Sequence, residues 1–231
     1  MKEEESTTQD KPRIAVLGAT GRTGRWIVEE ALRRGYAVNA LVRDKSRLAI
    51  QHDDLSVIVG TPESKNDLTT TMAGCEAVLS ALNISRVHEW WLWSKLTASP
   101  TFLSEVAQKV VEVATEMNTQ CCLVVTAWGT SETKKDLPAP FRWMIDMTQI
   151  GITYQDHERQ ERVWEKSGLD WTIIRPVGLT NSTEEKSIQI KLDTSTSKPA
   201  MTISRRMVAL FMLDALEQGT YTHQMPIISY L

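Results

Sequence analysis

Apolar and polar positions alternate in blocks along this chain, and the period of the pattern changes from block to block. Arg13-Ile14-Ala15-Val16-Leu17 is a short apolar run closed by Gly18, which predicts a buried strand. From Gly24 the period lengthens. Ile27, Val28, Ala31 and Leu32 share one helical face, Glu29 and Glu30 stand four residues before Arg33 and Arg34 on the other, and Gly35 supplies a stop. Strands are expected at 36–42, 56–59 and 76–82, with a short helix at 67–73. After a long loop or irregular helix, Val106, Val110 and Val113 mark a helix over 102–117, and 121–126 reads as a fifth strand. Residues 127–150, with Pro138 and Pro140, predict a loop containing a short helix. A helix at 154–167, a sixth strand at 171–175 cut by Pro176, a candidate strand at 187–192, a helix at 204–216 and a last strand near 226–229 complete the reading.

Repeated strand–helix–strand alternation implies a parallel sheet covered by helices on both faces. The expectation is therefore an α/β chain with a doubly wound parallel sheet in three layers. One domain would span 12–231, behind a flexible tail at 1–11. The segment after Pro176 would form a small C-terminal appendage on the substrate side, over the strand ends.

Composition narrows the function classes. The chain has 231 residues, 42% hydrophobic and 24% charged, enough for a sizeable core and unlike a disordered chain. The net charge of -3 lacks the basic excess of a duplex-binding module, so no nucleic-acid partner is expected. Cys75, Cys121 and Cys122 form no spaced framework, which suits a reducing compartment, read as cytoplasmic, without structural zinc. His52, His88 and His223 have no partner at metal-ligand spacing, so no metal is expected. The acidic, polar start is unlike a secretory or transit peptide, and no apolar run approaches the roughly 18 residues of a membrane helix. The oddity is eight Trp against three Phe.

The first strand leads into Gly18-Ala19-Thr20-Gly21-Arg22-Thr23-Gly24 and a helix follows directly. A tight strand-to-helix turn needs residues without Cβ. A dinucleotide pyrophosphate must approach the backbone closely, and the helix N-terminus offers it unpaired N–H groups and a positive dipole end. This context carries the reading, since a glycine triplet alone is weak. At the end of the second strand, where an NAD site wants an acid, stands Arg43, with Arg47 one turn on and Arg22 nearby in the loop. Guanidinium groups suit a 2′-phosphate, which favours NADP(H), although the adjacent Asp44 leaves a ribose contact open.

Gly18 to Gly24, Leu41-Val42-Arg43-Asp44, Ala73-Gly74-Cys75-Glu76-Ala77-Val78 and Ser167 to Pro176 resemble the atypical short-chain dehydrogenase/reductases. Within these the chain is most similar to the NAD(P)H-binding, NmrA-like and biliverdin reductase B (flavin reductase) type, over about 13–230. Asp156-His157-Glu158-Arg159 matches that type's Asp-His-Ile-Arg pattern. The resemblance implies a Rossmann fold, NADP(H), and a substrate lying over the nicotinamide. Carried over by position, Gly18, Thr20, Gly21, Arg22, Thr23 and Gly24 would hold the pyrophosphate, and Arg43 and Arg47 the 2′-phosphate. Leu82 and Asn83 would flank the nicotinamide ribose, and Pro176 and Val177 the carboxamide. Two features depart from the pattern. Thr61 stands where the family carries an adenine-binding Asp. The usual Tyr-x-x-x-Lys pair is missing, because Glu158 follows Tyr154.

Proton transfer must then come from another group or from solvent. His157 is the leading candidate, because its ordinary pKa lies near neutrality, and the competing reading is an exposed helix residue among charges. Tyr154 lies one turn earlier. Thr126 stands next to Ala127, which takes the place of the family's Ser, and could face away from the site. Trp90, Trp91 and Trp93 follow the fourth strand, on the edge where ligands bind in open α/β sheets, and Trp128 lies in the next loop on that edge. They are read either as walls of a substrate pocket or as a self-packed loop. The expected activity is NADP(H)-dependent hydride transfer to or from a bulky, flat, apolar small molecule, with oligomeric state open. A non-redox isomerase and a non-catalytic NADP sensor are the rivals.

Overall fold

In the computed structural model, residues 11–85, 87–88, 91–194 and 197–231 are described. The polar segment expected as a tail lies outside the described residues apart from Lys11, as does Trp90. Five strands alternate with helices as the blocks of sequence suggest: β1 (Arg13–Leu17), α1 (Arg22–Arg33), β2 (Ala37–Val42), β3 (Leu55–Val59), α2 (Lys65–Met72), β4 (Ala77–Ser80), α3 (Phe102–Met117) and β5 (Cys121–Val125). Next come α4 (Ala139–Met147), α5 (Ile150–Glu165), β6 (Asp170–Pro176), β7 (Gly178–Thr180), β8 (Ile188–Lys191), β9 (Thr202–Ser204), α6 (Arg205–Gln218) and β10 (Ile227–Tyr230).

The main sheet runs β3-β2-β1-β4-β5-β6-β10-β8, parallel except for β8, which pairs antiparallel with β10. The chain steps outward from β1 to β3, then returns to lay β4 against the other side of β1. That reversal opens a crevice at the strand ends, between β1 and β4. The fold is thus the expected Rossmann-type doubly wound α/β domain.

Successive residues of one strand serve opposite cores, as the two-residue period requires. Ile14 and Val16 pack with Ile27 and Val28 of α1 and with Val208 and Met212 of α6. Ala15 and Leu17 pack with Leu68 and Met72 of α2, Val106 and Val110 of α3, and Trp164 of α5. Glu30 binds both Arg33 and Arg34, and Arg34 reaches across to Asp214 and Glu217, which ties α1 to α6.

The segment after Pro176 does more than overhang the strand ends. The parallel β7–β9 pair stands there as a second, two-stranded sheet. β10 and β8 widen the main sheet, and α6 covers one face of it. α5 begins at Ile150, one turn earlier than expected, because α4 ends at Met147 and hands on through a short connection.

Candidate functional site

At the crevice, Gly18 has φ +82° and lies so close to the next strand's continuation that a Cβ would sit 2.9 Å from Ala81 O. The backbone folds back on itself through Gly21 N–H, which donates to Gly18 O at 2.8 Å. α1 then starts with no side-chain cap and no acidic residue in its first turn, so its early N–H groups face outward without a competing carboxylate. Gly24 brings the helix against the loop, where any side chain would meet Gly18 O.

A cavity of about 270 Å³ extends from this turn along the ends of β1, β2 and β3. Gly18, Thr20, Arg43, Thr61 and Leu82 border it. Arg47 sits outside this wall on a 3-10 turn at 45–47, and its carbonyl accepts from Arg25 Nη2 at 2.9 Å. Asp44 caps that turn: its carboxylate accepts from Ser46 N at 2.9 Å and Ser46 Oγ at 2.7 Å. These bonds hold the Asp44 carboxyl below the ordinary range. The Thr61 backbone N–H is bound by Asp67. A carboxylate absent from the sequence expectations, Glu63, lies in the same wall.

Asn83 also borders a second cavity, of about 360 Å³, and so joins the two. His157, Tyr154, Trp128, Pro176 and Val177 meet in its wall. Thr126 reaches the wall as well, but its hydroxyl donates to Glu161 at 2.9 Å. Trp91 and Trp93, expected as pocket walls, border neither cavity. They stay half exposed, with ring centroids 5.6 Å apart, because Trp93 Nε1 donates to Met147 O at the end of α4 and holds the loop there.

His157 is buried, not an exposed helix residue, and its Nδ1 lies 3.2 Å from Gln160 Oε1. Burial pushes the imidazole below its ordinary value, so it is neutral at pH 7. With Nδ1–H donating to Gln160, Nε2 is the acceptor. Burial likewise pushes the Tyr154 phenol up, and its hydroxyl lies 3.4 Å from Trp128 O. Asp156, adjacent in sequence, does not serve His157. One step along a helix turns the side chain by about 100°, and Asp156 instead caps α3, accepting from Leu103 N at 2.7 Å and Ser104 Oγ at 2.6 Å.

The buried histidine makes a stability prediction. The unfolded chain takes up a proton near pH 6.5, whereas the native imidazole resists it, so stability present above that pH is lost as pH falls below it. His157→Gln should therefore flatten the acid side of the profile by about 1 kcal/mol between pH 7.5 and 5.5. Urea midpoints at the two pH values measure this, and identical losses in variant and wild type contradict it.

Behind the cavity lies a network that sequence reasoning missed. Glu161 Oε1 accepts from Thr126, Thr130 and Arg175 Nε at 2.9, 2.9 and 3.0 Å. Its Oε2 accepts from Ser131 Oγ at 2.9 Å and Arg175 Nη2 at 2.8 Å. Arg175 also binds Glu132. Burial pushes the Glu161 carboxyl up, but the Arg175 guanidinium and the hydroxyls outweigh it and hold the group below the ordinary carboxylate range. The network fastens the loop carrying Trp128 to α5 and β6. The signal for it was Arg175 itself, a cation ending the apolar run Trp171–Ile174.

Among the described residues no helix is long and apolar enough to cross a membrane. Comparison with known proteins agrees with the geometry of the glycine turn. An uncharacterised chloroplastic protein of Arabidopsis thaliana is 26% identical over 214 residues, covering 89% of this chain and 72% of that protein. The reductase PytE of Aspergillus terreus is 25% identical over 217 residues, covering 80% and 82%. A wide-type short-chain dehydrogenase/reductase from Veillonella parvula, solved with NADP, superposes with a TM-score of 0.77 at 18% identity, covering 94% of each chain. The family model described as NAD(P)H-binding matches residues 18–219, and the chain belongs to that NAD(P)H-binding family.

Proposed function

We propose that the protein is an NADP(H)-dependent oxidoreductase that transfers hydride to or from a bulky apolar or aromatic small molecule. The observation that carries this reading is the pair of cavities joined at Asn83 across the switch point, one framed by the glycine turn and the other mostly apolar. The turn suits a dinucleotide: a Cβ at Gly18 or Gly24 would collide with neighbouring protein backbone, so glycine keeps the turn tight and the N-terminus of α1 close against the strand ends. Backbone N–H groups of Arg22, Thr23 and Gly24 would hold the pyrophosphate, with Thr20 and Gly21 shaping the turn. Arg43, with Arg47 beyond it, would take the 2′-phosphate. Asp44 is engaged in capping its own turn, which supports the phosphate over a bare ribose. Thr61 and Glu63 line the same cavity and would border the adenine, Glu63 supplying a carboxylate two residues after the position where the family carries one. Leu82, Asn83, Pro176 and Val177 would flank the nicotinamide.

When bound, the cofactor supplies or accepts the hydride. The chain's own residues position and protonate. A neutral His157 would accept from a substrate hydroxyl through Nε2 or deliver a proton taken from water, and Tyr154 offers a phenol in the same wall. Trp128 closes the cavity as an apolar plate, while Thr126 works through Glu161. Its place of action is read as a reducing, cytoplasmic one, in keeping with three free cysteines whose thiols burial pushes up, Cys121 to about 11 and Cys75 to about 12.

Arg43→Ala should weaken NADPH binding roughly ten- to hundredfold, the loss of one charge-assisted phosphate contact, while NADH changes little. Fluorescence titration of both cofactors measures this. Equal affinity of the wild type for NADPH and NADH overturns the NADP assignment.

A further inference from the structure

Where the end of β5 meets α5, three side chains that border the second cavity have committed their hydrogens to partners inside the protein. Thr126 O–H donates to Glu161, whose carboxylate can only accept, at 2.9 Å. Tyr154 O–H donates to Trp128 O at 3.4 Å. His157 Nδ1–H donates to Gln160 Oε1 at 3.2 Å. What each has left is a lone pair: on the two hydroxyl oxygens, and on Nε2 across the imidazole from Nδ1. Among the described residues Nε2 has no hydrogen-bond partner. Tyr154 and His157 stand three apart on α5 and so share one face of it. The nitrogen donors of the wall belong to other elements: Asn83 after β4, the buried Trp128 Nε1 after β5, and Arg205 at the start of α6. A buried acceptor without a partner is costly, and a ligand that brings a hydrogen removes the cost.

We propose that the substrate is an apolar molecule bearing a hydroxyl that donates to His157 Nε2, and that Gln160 is the positioning residue that keeps this nitrogen free of a proton. This rests on reading the second cavity as the substrate site. Gln160 is itself buried on α5, one turn beyond His157. A carboxamide oxygen at Nδ1 claims the one hydrogen of the neutral ring, which leaves Nε2 as a lone pair. The rest of the wall, with Ile84, Leu137, Met144 and Leu179, suits an apolar skeleton. A site built around an acceptor discriminates against a close analogue with no hydrogen to give, because the acceptor then stays unpaired.

The probes are 2-naphthol and 2-methoxynaphthalene, neither of which can give up hydride, titrated calorimetrically at pH 7 into protein saturated with NADP. The naphthol should bind the wild type about five- to tenfold tighter, the worth of one hydrogen bond to an otherwise unpaired acceptor. His157→Phe keeps a ring in the wall without the acceptor and should bring the two within about twofold. Gln160→Leu should also shrink the preference, because Nε2 is then free to hold the proton. Nitrogen NMR on protein labelled in its histidines reads the tautomer directly. His157 should carry its hydrogen on Nδ1 in the wild type and share it between the two nitrogens in Gln160→Leu. A Gln160 that only packs would leave that spectrum unchanged, which overturns its assigned role. Equal binding of the two probes by the wild type overturns the proposal, as does failure of the naphthol to bind or an unchanged preference in His157→Phe. A wild-type His157 with its hydrogen on Nε2 does so as well, and that spectrum decides the matter if His157→Phe does not fold. If NADP itself does not bind, the cofactor reading fails. The same comparison on the cofactor-free protein then still decides the role of His157.

Discussion

Gly24→Ala should weaken NADPH binding by roughly a hundredfold or more and lower the melting temperature as well. The new Cβ would lie 2.1 Å from Gly18 O, 2.7 Å from Gly18 C and 3.0 Å from Ala19 Cα. All three are backbone atoms of the turn, so no side chain can swing aside. Relief requires α1 to move off the loop, but Ile27 and Val28 anchor α1 in the core against β1. Overpacking of this kind typically costs about 1–3 kcal/mol or more. The loop would yield, and with it the alignment of the N–H groups that would receive phosphate. Gly35→Ala is the control. Gly35 has φ +88° with nothing within 4 Å of its Cβ position. That substitution should cost about 1–2 kcal/mol of stability through backbone strain and leave NADPH affinity unchanged. Fluorescence titration and thermal melts of both variants test the contrast. Wild-type affinity in Gly24→Ala refutes it.

Glu161→Ala should cause the largest loss of stability among single substitutions near the site. It leaves the buried Arg175 guanidinium with Glu132, at the exposed end of the pair, strips the hydroxyls of Thr126 and Ser131 of their acceptor, and leaves Thr130 with Ala127 O alone. Breaking a buried ion pair from one side costs about 3–5 kcal/mol, which for a domain of this size is roughly a 10 °C drop in melting temperature. Glu161→Gln keeps the shape and part of the hydrogen bonding and should lose less. The loop after β5 should become a site of early proteolytic cleavage in Glu161→Ala. A melting temperature within about 2 °C of wild type contradicts the argument.

How far the sequence was readable depends on the range of the interactions involved. The glycine turn is a local device: strand, three glycines and helix are contiguous, so pattern alone locates it. The strand and helix blocks are legible for the same reason, since a single buried face imposes its period on neighbouring residues. Three-residue strands such as β7 and β9 carry too few positions to show a period. The Glu161–Arg175–Glu132 network joins residues 14 and 43 apart in the chain, and spacing says nothing about such pairs. Adjacency misleads in the opposite direction. Asp156 is next to His157 in sequence, yet helix geometry sends it to α3, and Gln160, one turn on, becomes the histidine's neighbour. Trp91 and Trp93 stand in the loop after β4 as expected, but the sequence could not tell which side of the loop would fold inward. The bond from Trp93 to Met147 decides it.

β10 bears on the order of assembly. It fills the slot between β6 and β8, pairing Ile227 with both Arg175 and Lys191, partners that precede it by long stretches of chain. Until 227–230 dock, β6 keeps a bare edge and β8 has no neighbour, while β1 to β5 can already be hydrogen-bonded through pairings among themselves. Long-range pairings close late, because the loop entropy must be spent before the contact forms. Folding should therefore run from the nucleotide half toward the β8 edge. A transient species would carry a formed glycine turn beside an open, sticky strand, the point at which a crowded cell would find this chain most prone to aggregate.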